Sequence, residues 1–136
     1  GPSYTIDTVE QLKTLFPEEE VLLIVGLDSF LEIHLWHRYR ELLEKASFVI
    51  VSRPPLGLED FLRSPHVKGI IERKASFTEV GLVSGRRAYY LECTHLDISS
   101  SDIRRMLSDG KSIRYLLPES VESFIISKGL YGCKRR

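Results

Sequence analysis

Two short apolar runs constrain the fold of this chain more than any other feature: VLLIV (Val21–Val25) and SFVIVSR (Ser47–Arg53). Each run is too short for an ordinary helix and shows no polar alternation, which is typical of a strand buried on both faces of a parallel sheet. The stretch between them, SFLEIHLWHRYRELLEKA, has apolar residues at helical spacing, and Ser29 with Glu32 fits a capping box at its start. The order strand, helix, strand over residues 21–53 predicts a right-handed βαβ unit in an α/β domain.

Further elements are predicted on both sides of this unit. Ile6, Val9 and Leu12 stand at helical spacing and predict a first helix, which Pro17 would end. The stretch LEDFLRS has a helical pattern, whereas HVKGIIERK fits either a helix or a strand. The stretch FTEVGLVSGRRAYYLEC is typical of two strands around a tight turn at its Ser-Gly pair. The last third of the chain predicts one helix at residues 102–108 and another that begins at residue 118.

Charge and composition argue against some classes of partner. Lys and Arg together number 19, as do Asp and Glu, so the chain lacks the broad basic field of a nonspecific nucleic-acid binder. No apolar run approaches the ~20 residues of a membrane-spanning helix. The two cysteines, Cys93 and Cys133, form no framework, and the start of the chain has no signal-like apolar run. We therefore expect a cytoplasmic protein with neither nucleic-acid nor membrane partners.

Three consecutive serines, at residues 99–101, come directly before the helix predicted at residues 102–108. Ser99 with Asp102 fits a capping box, which accounts for one hydroxyl but not for three. A helix N-terminus offers free N–H groups and a partial positive charge, and Ser100, Ser101 and Arg104 would add donors there. Such a group suits phosphate oxygens. The residues alone leave two interpretations open, a phosphate site or simple capping.

Other candidates lie where the two buried strands end. Asp28 follows the first strand behind Gly26, a place where acidic residues often bind ribose hydroxyls, although it could also cap the next helix. Arg53 ends the second strand at the same edge, where a cation could meet a phosphate or a nucleobase. Trp36, the one tryptophan, would by itself be interpreted as a packing residue. The four histidines form no metal-binding motif, so we expect them to be structural or exposed, with no metal held by the protein.

The serine cluster belongs to the stretch ISSSDIR, which resembles the ISSTxIR motif of the nucleotidyltransferase superfamily. Five other stretches, in chain order, resemble the C-terminal part of the bacterial nicotinate-mononucleotide adenylyltransferases: GPSYTIDT, IVGLDSF, WHRYREL, FVIVSRP and IRYLLPESVESFIISKGLY. The resemblance implies an α/β fold that is part of a Rossmann-like parallel sheet with flanking helices and a C-terminal helical portion. Residues 1–136 would form the C-terminal part of one nucleotidyltransferase domain, with the βαβ core at 21–53 and the phosphate-binding and C-terminal helices at 98–131.

Members of that family transfer AMP from ATP to nicotinate mononucleotide, giving deamido-NAD and pyrophosphate, with Mg²⁺ and without a covalent intermediate. The resemblance therefore implies ATP and nicotinate mononucleotide as ligands. It also implies the following roles: Ser99, Ser100, Ser101 and Arg104 at the ATP phosphates, Gly26, Asp28 and Arg53 at the nucleotide, and Trp36, Tyr4 and Thr5 at the nicotinate ring. The chain departs from the family's Arg-Pro-Gly sequence after the second strand, because Pro55 stands in the place of the glycine.

The family's histidine motif, G-x-F-x-P-x-H-x-G-H, does not occur in these 136 residues. In the family it lies upstream of the SYT segment and its histidines bind ATP phosphates, so we expect no transfer activity from this chain alone. The upstream part would also supply strands. We therefore expect Val21–Val25 to lack one sheet neighbour, and the chain to associate with the missing N-terminal half or with a second copy. Two alternatives stay open: a non-catalytic nucleotide-binding or regulatory module, and a sister adenylyltransferase for another mononucleotide.

Overall fold

The computed structural model describes residues 4–18, 20–52, 54–75, 77–92 and 113–116. Within these residues the helices are α1 (Thr5–Leu15), α2 (Leu27–Phe30), α3 (Tyr39–Lys45) and α4 (Leu58–Leu62), with a 3₁₀ turn at Ile33–Leu35. The strands are β1 (Glu20–Gly26), β2 (Ser47–Ser52), β3 (Val67–Arg73), β4 (Thr78–Leu82), β5 (Arg87–Glu92) and β6 (Ile113–Leu116). No helix in the described part of the chain is long and apolar enough to cross a membrane.

The strands form one mixed sheet in the order β3-β4-β5-β2-β1-β6. β6, β1, β2 and β5 run parallel, whereas β4 and β3 continue the sheet antiparallel. In the register of the parallel part, Gly26 lies beside Val51 and Ser52 lies beside Glu92. The carboxyl ends of β1, β2 and β5 therefore meet at one edge, which is where open α/β sheets bind ligands.

The two apolar runs form the strands that the sequence predicts. Residues 21–25 of β1 and residues 47–52 of β2 are all buried. Phe30 of α2 packs edge-to-face on Phe48 of β2 and on Phe61 of α4, with ring centroids 5.5 and 5.3 Å apart. These edge-to-face pairs add aromatic contact energy to the burial of the rings themselves. The prediction of an α/β fold with a largely parallel sheet is confirmed.

The crossover between β1 and β2 is broken, and the prediction of one helix there is wrong. α2, the 3₁₀ turn and α3 are separate, and Ser29 lies inside α2, so it does not cap a helix start. Leu27, Phe30 and Ile33 are buried on the sheet, but the same helical face continued would reach His37 and polar residues beyond it. A single helix would bury those polar groups, and the chain turns instead.

Two further predictions are settled by pairing. The stretch HVKGIIERK contains strand β3, and the strands on either side of the Ser-Gly turn are β4 and β5 as expected. The expectation that Val21–Val25 lacks a neighbour is wrong, because β6 pairs parallel with β1 on the side away from β2. β6 itself was not predicted, and it falls inside the range expected to be helical. The helices predicted at 102–108 and from 118 lie outside the described residues.

Candidate functional site

The N-terminus of α1 lies against the loop that leads into α3. The ring of Tyr4 stacks on that of His37, with centroids 4.0 Å apart and planes 25° apart. Thr5 opens the helix, and the carbonyl of Tyr4 accepts hydrogen bonds from the N–H groups of Asp7 and Thr8 at 3.0 and 3.3 Å. The structure therefore places Tyr4, a predicted pyridine-site residue, against the residue that follows Trp36.

Trp36 sits between the core and the surface. Its side chain is partly buried and packs against the apolar core, while its neighbour Leu35 is exposed. The backbone at Trp36 is extended, and its N–H donates to the carbonyl of Ile33 at 2.9 Å. An indole supported by the core offers a rigid flat surface to an aromatic ligand at a low entropic cost. This placement suits the predicted stacking role.

The loop ends at Arg38, which sequence reasoning did not single out. Its φ of 53° places it in the left-handed region, the only non-glycine residue there in the described part of the chain. Such a conformation costs a non-glycine residue of order 1–3 kcal/mol, so other contacts must hold it. Glu10 and Glu41 accept from its Nη2 at 2.8 and 2.7 Å, and Glu41 also accepts from its Nε at 2.9 Å.

The carboxylates around Arg38 tie α1 to α3. Asp7 lies 3.5 Å from Nη1 of Arg38, and Glu10 also pairs with Lys45 at 3.1 Å. Hydrogen bonds from Arg38 and then Lys45 lower the pKa of Glu10 from its ordinary 4.5, and the Arg38 hydrogen bond lowers the pKa of Glu41. Tyr4, Asp7 and Glu10 stand three residues apart, so they form one stripe of α1 that faces the loop. That spacing is the sequence signal that could have indicated this network.

Gly26 and Asp28 meet at the carboxyl end of β1. A Cβ on Gly26 would lie 2.8 Å from Oδ1 of Asp28, which is closer than side chains tolerate. The backbone of Gly26 is ordinary (φ −73°), so conformation does not require a glycine, and a Cβ there would oblige the Asp28 side chain to move. Asp28 is exposed in the first turn of α2. The missing side chain at Gly26 therefore leaves room for an exposed carboxylate at the predicted binding edge.

The same edge continues past β2 to β5. A cavity of about 360 Å³ opens there, lined by Leu58, Arg73, Lys74, Ala75, Phe77, Thr78, Tyr90 and Glu92. β5 is two strands away from β1, which amounts to about 10 Å at the usual strand spacing. The hydroxyl of Ser52 donates to the carbonyl of Leu56 at 2.8 Å, which closes the loop after β2 beside this cavity. The cavity thus lies two strands away from Gly26 and Asp28, and none of the predicted site residues that the structure describes lines it.

Five predicted site residues lie outside the described part of the chain. They are Arg53 and the phosphate cluster, Ser99, Ser100, Ser101 and Arg104, and their roles stay predictions. Among the residues that the structure does describe, no group of three or more His, Cys, Asp or Glu side chains could hold a metal ion.

The prediction for the histidines changes at one residue, His37. His34 is exposed as expected, and His66 packs edge-on against Tyr39 at 5.7 Å. Burial lowers the pKa of His66, with His34 and Arg40 adding to the effect. His37 is exposed, as predicted, but its stacking on Tyr4 puts it at the candidate site. His95 lies outside the described residues.

The mostly parallel sheet has an exposed carboxylate, Asp28, after β1, at the edge where α/β domains bind ligands. The stacked pair Tyr4 and His37, with Trp36 and Arg38 on the same loop, is called the aromatic rim below. The chain belongs to the cytidylyltransferase-like family, which matches residues 3–106. The match spans the aromatic rim, the βαβ unit and the predicted phosphate cluster.

Individual relatives narrow the comparison. The chain is similar to a protein of Trichlorobacter lovleyi named "Probable nicotinate-nucleotide adenylyltransferase", 42% identical over 140 aligned positions, covering 96% of this chain and 62% of that protein. Proteins of the same name from Desulfatibacillum aliphaticivorans and Syntrophotalea carbinolica are 40% and 36% identical, covering 96% and 100% of this chain and 63% of each relative. The chain thus spans less than two thirds of the length of these curated relatives.

Proposed function

We propose that this chain is the mononucleotide-binding portion of a nicotinate-nucleotide adenylyltransferase, an enzyme of NAD biosynthesis that transfers AMP from ATP to nicotinate mononucleotide. The observation that carries the proposal is the stacking of Tyr4 on His37, the residue that follows Trp36, since it joins two stretches that lie about thirty residues apart in the chain. The names of the relatives support it. Cytoplasmic location and association with the remainder of the enzyme or with a second copy are parts of this proposal.

The reaction needs positioning more than covalent chemistry. A phosphate oxygen of nicotinate mononucleotide attacks the α-phosphorus of ATP, the bond from that phosphorus to the bridging oxygen breaks, and pyrophosphate leaves. Trp36 would stack on the pyridine ring, with Tyr4 and Thr5 lining its pocket. Asp28 would accept hydrogen bonds from ribose hydroxyls, in the space that Gly26 leaves.

The phosphates belong to the second part of the proposal. Ser99, Ser100, Ser101 and Arg104 would donate hydrogen bonds to ATP phosphates, and Arg53 would meet the nucleotide at the end of the second strand. Donors aimed at the phosphates stabilise the charge that develops during transfer.

Mg²⁺ would accompany ATP. In proteins Mg²⁺ is usually held by phosphates together with one or two carboxylates and water. The ion would neutralise phosphate charge when bound.

The decisive experiment uses the single tryptophan of the chain as its probe. Titration with nicotinate mononucleotide should quench the fluorescence of Trp36, and nicotinamide mononucleotide should do so less well. Quenching by neither would contradict the pyridine site. Equal or better quenching by the amide would favour a sister adenylyltransferase.

A second measurement separates binding from catalysis. Pyrophosphate release from ATP and nicotinate mononucleotide should be absent with the 136 residues alone. It should appear when the chain is part of a protein that carries the histidine motif. A chain that binds the mononucleotide, and whose longer natural form still releases no pyrophosphate, would be a non-catalytic binding module.

A further inference from the structure

We propose that Arg38 is a positioning residue, which holds the Trp36–His37 segment in the conformation that receives the pyridine ring. The proposal rests on the proposed function for the identity of the ligand, but not for the geometry. The segment is short: Trp36 is partly buried, His37 is exposed, and Arg38 follows directly. Trp36 packs against the core, whereas Arg38 is held by charges.

The backbone provides the first argument. The chain is extended at Trp36 (φ −81°, ψ 147°) and left-handed at Arg38 (φ 53°, ψ 43°), and the carbonyl of Arg38 accepts the first hydrogen bond of α3, from Leu42 at 3.1 Å. The direction of the loop therefore changes at Arg38. A non-glycine residue keeps this conformation only where its surroundings impose it, and strained residues of this kind cluster at ligand clamps.

The side chain provides the second argument. Its guanidinium forms hydrogen bonds with carboxylates on two separate elements, Glu10 of α1 and Glu41 of α3. Two-pronged guanidinium–carboxylate pairs fix an orientation as well as a distance. Arg38 thus sets the distance between the start of α3 and the middle of α1.

The third argument is that the same stripe of α1 reaches the aromatic rim. Tyr4, Asp7 and Glu10 succeed one another at three-residue spacing, and Tyr4 stacks on His37 while the two acids pair with Arg38. Displacement of Arg38 from Glu10 would separate His37 from Tyr4, since both contacts join the same two elements. Trp36 precedes His37 directly, so the indole would lose its fixed orientation as well.

The test uses three substitutions and one control. Arg38→Gly keeps access to the left-handed backbone but removes the guanidinium, and Arg38→Lys keeps the charge but not the fork. Glu10→Gln removes the charge of the partner on α1 that lies closest to the guanidinium, without any change in the loop. Arg63→Ala is the control, because Arg63 also forms an exposed ion pair, with Asp60 at 3.1 Å, but on α4.

Two quantities are measured on each folded variant: quenching of Trp36 by acrylamide without ligand, and the Kd for nicotinate mononucleotide. If the competent loop conformation falls to about a tenth of the population, the Kd rises about tenfold. We expect this rise, with greater acrylamide quenching, in Arg38→Gly and Glu10→Gln. We expect a smaller change in Arg38→Lys and none in Arg63→Ala. The double variant Arg38→Gly with Glu10→Gln should bind the mononucleotide as tightly as Arg38→Gly alone, since Glu10 acts through the guanidinium that Arg38→Gly already lacks.

The remaining outcomes either overturn the positioning role of Arg38 or separate that role from the identity of the ligand. Unchanged acrylamide quenching and Kd in Glu10→Gln, with a lower melting temperature, would show that the network only stabilises the fold. If the unaltered protein does not bind the mononucleotide, the proposed function fails. The acrylamide series then decides on Arg38 alone: greater quenching in the variants supports positioning, and unchanged quenching overturns it.

Discussion

The βαβ core and the aromatic rim are held together by different forces. In the core, residues 21–25 of β1 and all of β2 are buried, and Phe30 of α2 forms ring contacts with Phe48 of β2 and Phe61 of α4. In the rim, Tyr4, His37 and Arg38 are exposed, and a stacked pair and a set of ion pairs join α1 to α3. Burial of apolar surface supplies most of the stability of a domain, whereas exposed ion pairs supply little.

This difference predicts which property of the protein each substitution will change. A core substitution acts on the whole fold, while a rim substitution acts on the orientation of a few side chains. Ligand affinity and stability should therefore respond to different residues, and the following predictions test that separation from the largest effect to the smallest.

The largest effect on stability is expected at Phe48, which is fully buried on β2. Phe48→Ala removes its ring contact with Phe30 and leaves a cavity, so the free energy of unfolding should fall by about 3–5 kcal/mol. Urea denaturation measures the change. The control, Leu15→Ala at the exposed end of α1, should stay within about 0.5 kcal/mol. A loss at Phe48 no larger than that of the control would contradict the assignment of stability to the core.

At Trp36 we expect a larger effect on ligand affinity than on stability. Trp36→Ala should weaken binding of nicotinate mononucleotide by ten- to a hundredfold, because stacking of a base on an aromatic side chain contributes ~1–3 kcal/mol. Calorimetric titration measures the affinity, since the variant has no tryptophan fluorescence. Trp36→Phe should keep part of the affinity. Equal affinities in all three proteins would place the pyridine ring elsewhere.

A smaller loss of affinity is expected at the carboxyl end of β1. Asp28→Asn removes the charge from hydrogen bonds to the ribose and should raise the Kd for the mononucleotide about tenfold. Gly26→Ala should change the Kd in the same direction, because its Cβ would displace the Asp28 carboxylate. Glu59→Gln, at an exposed position of α4, is the matched control. If Asp28→Asn behaves as that control does, Asp28 does not contact the nucleotide.

The smallest effect is expected from the rim charges, and it should depend on pH. The pKa of Glu10 is lowered in the folded protein by Arg38 and Lys45, so the ionised form stabilises the fold above the ordinary pKa of 4.5. This contribution is lost as the pH falls through the lowered pKa. Glu10→Gln should therefore melt at a lower temperature than the unaltered protein at pH 7, and the gap should narrow as the pH falls below 4.5. Added salt should narrow it as well. A gap that does not narrow at any acid pH at which both proteins stay folded would mean that packing, and not charge, is lost.

Some of these features follow from local sequence. The apolar runs of β1 and β2, the three-residue spacing in α1 and the Ser-Gly turn between β4 and β5 depend on neighbours within about ten residues, and each formed where it was predicted. At the candidate site, Gly26, Asp28, Trp36, Tyr4 and Thr5 could be named from motifs. None of those motifs alone predicts that Tyr4 stacks on His37, a contact that joins two of them.

The amino-acid sequence by itself determined the class of fold, since hydrophobic periodicity selects strands and helices before any long-range contact forms. Only the tertiary structure decided where the crossover breaks, which residue takes the left-handed conformation, and which strand lies beside β1. Arg38 is stable in that conformation because Glu10, twenty-eight residues earlier, lies within hydrogen-bond distance of its guanidinium. No local preference of an arginine encodes such a contact, because the stabilising partner comes near only when α1 has packed beside α3.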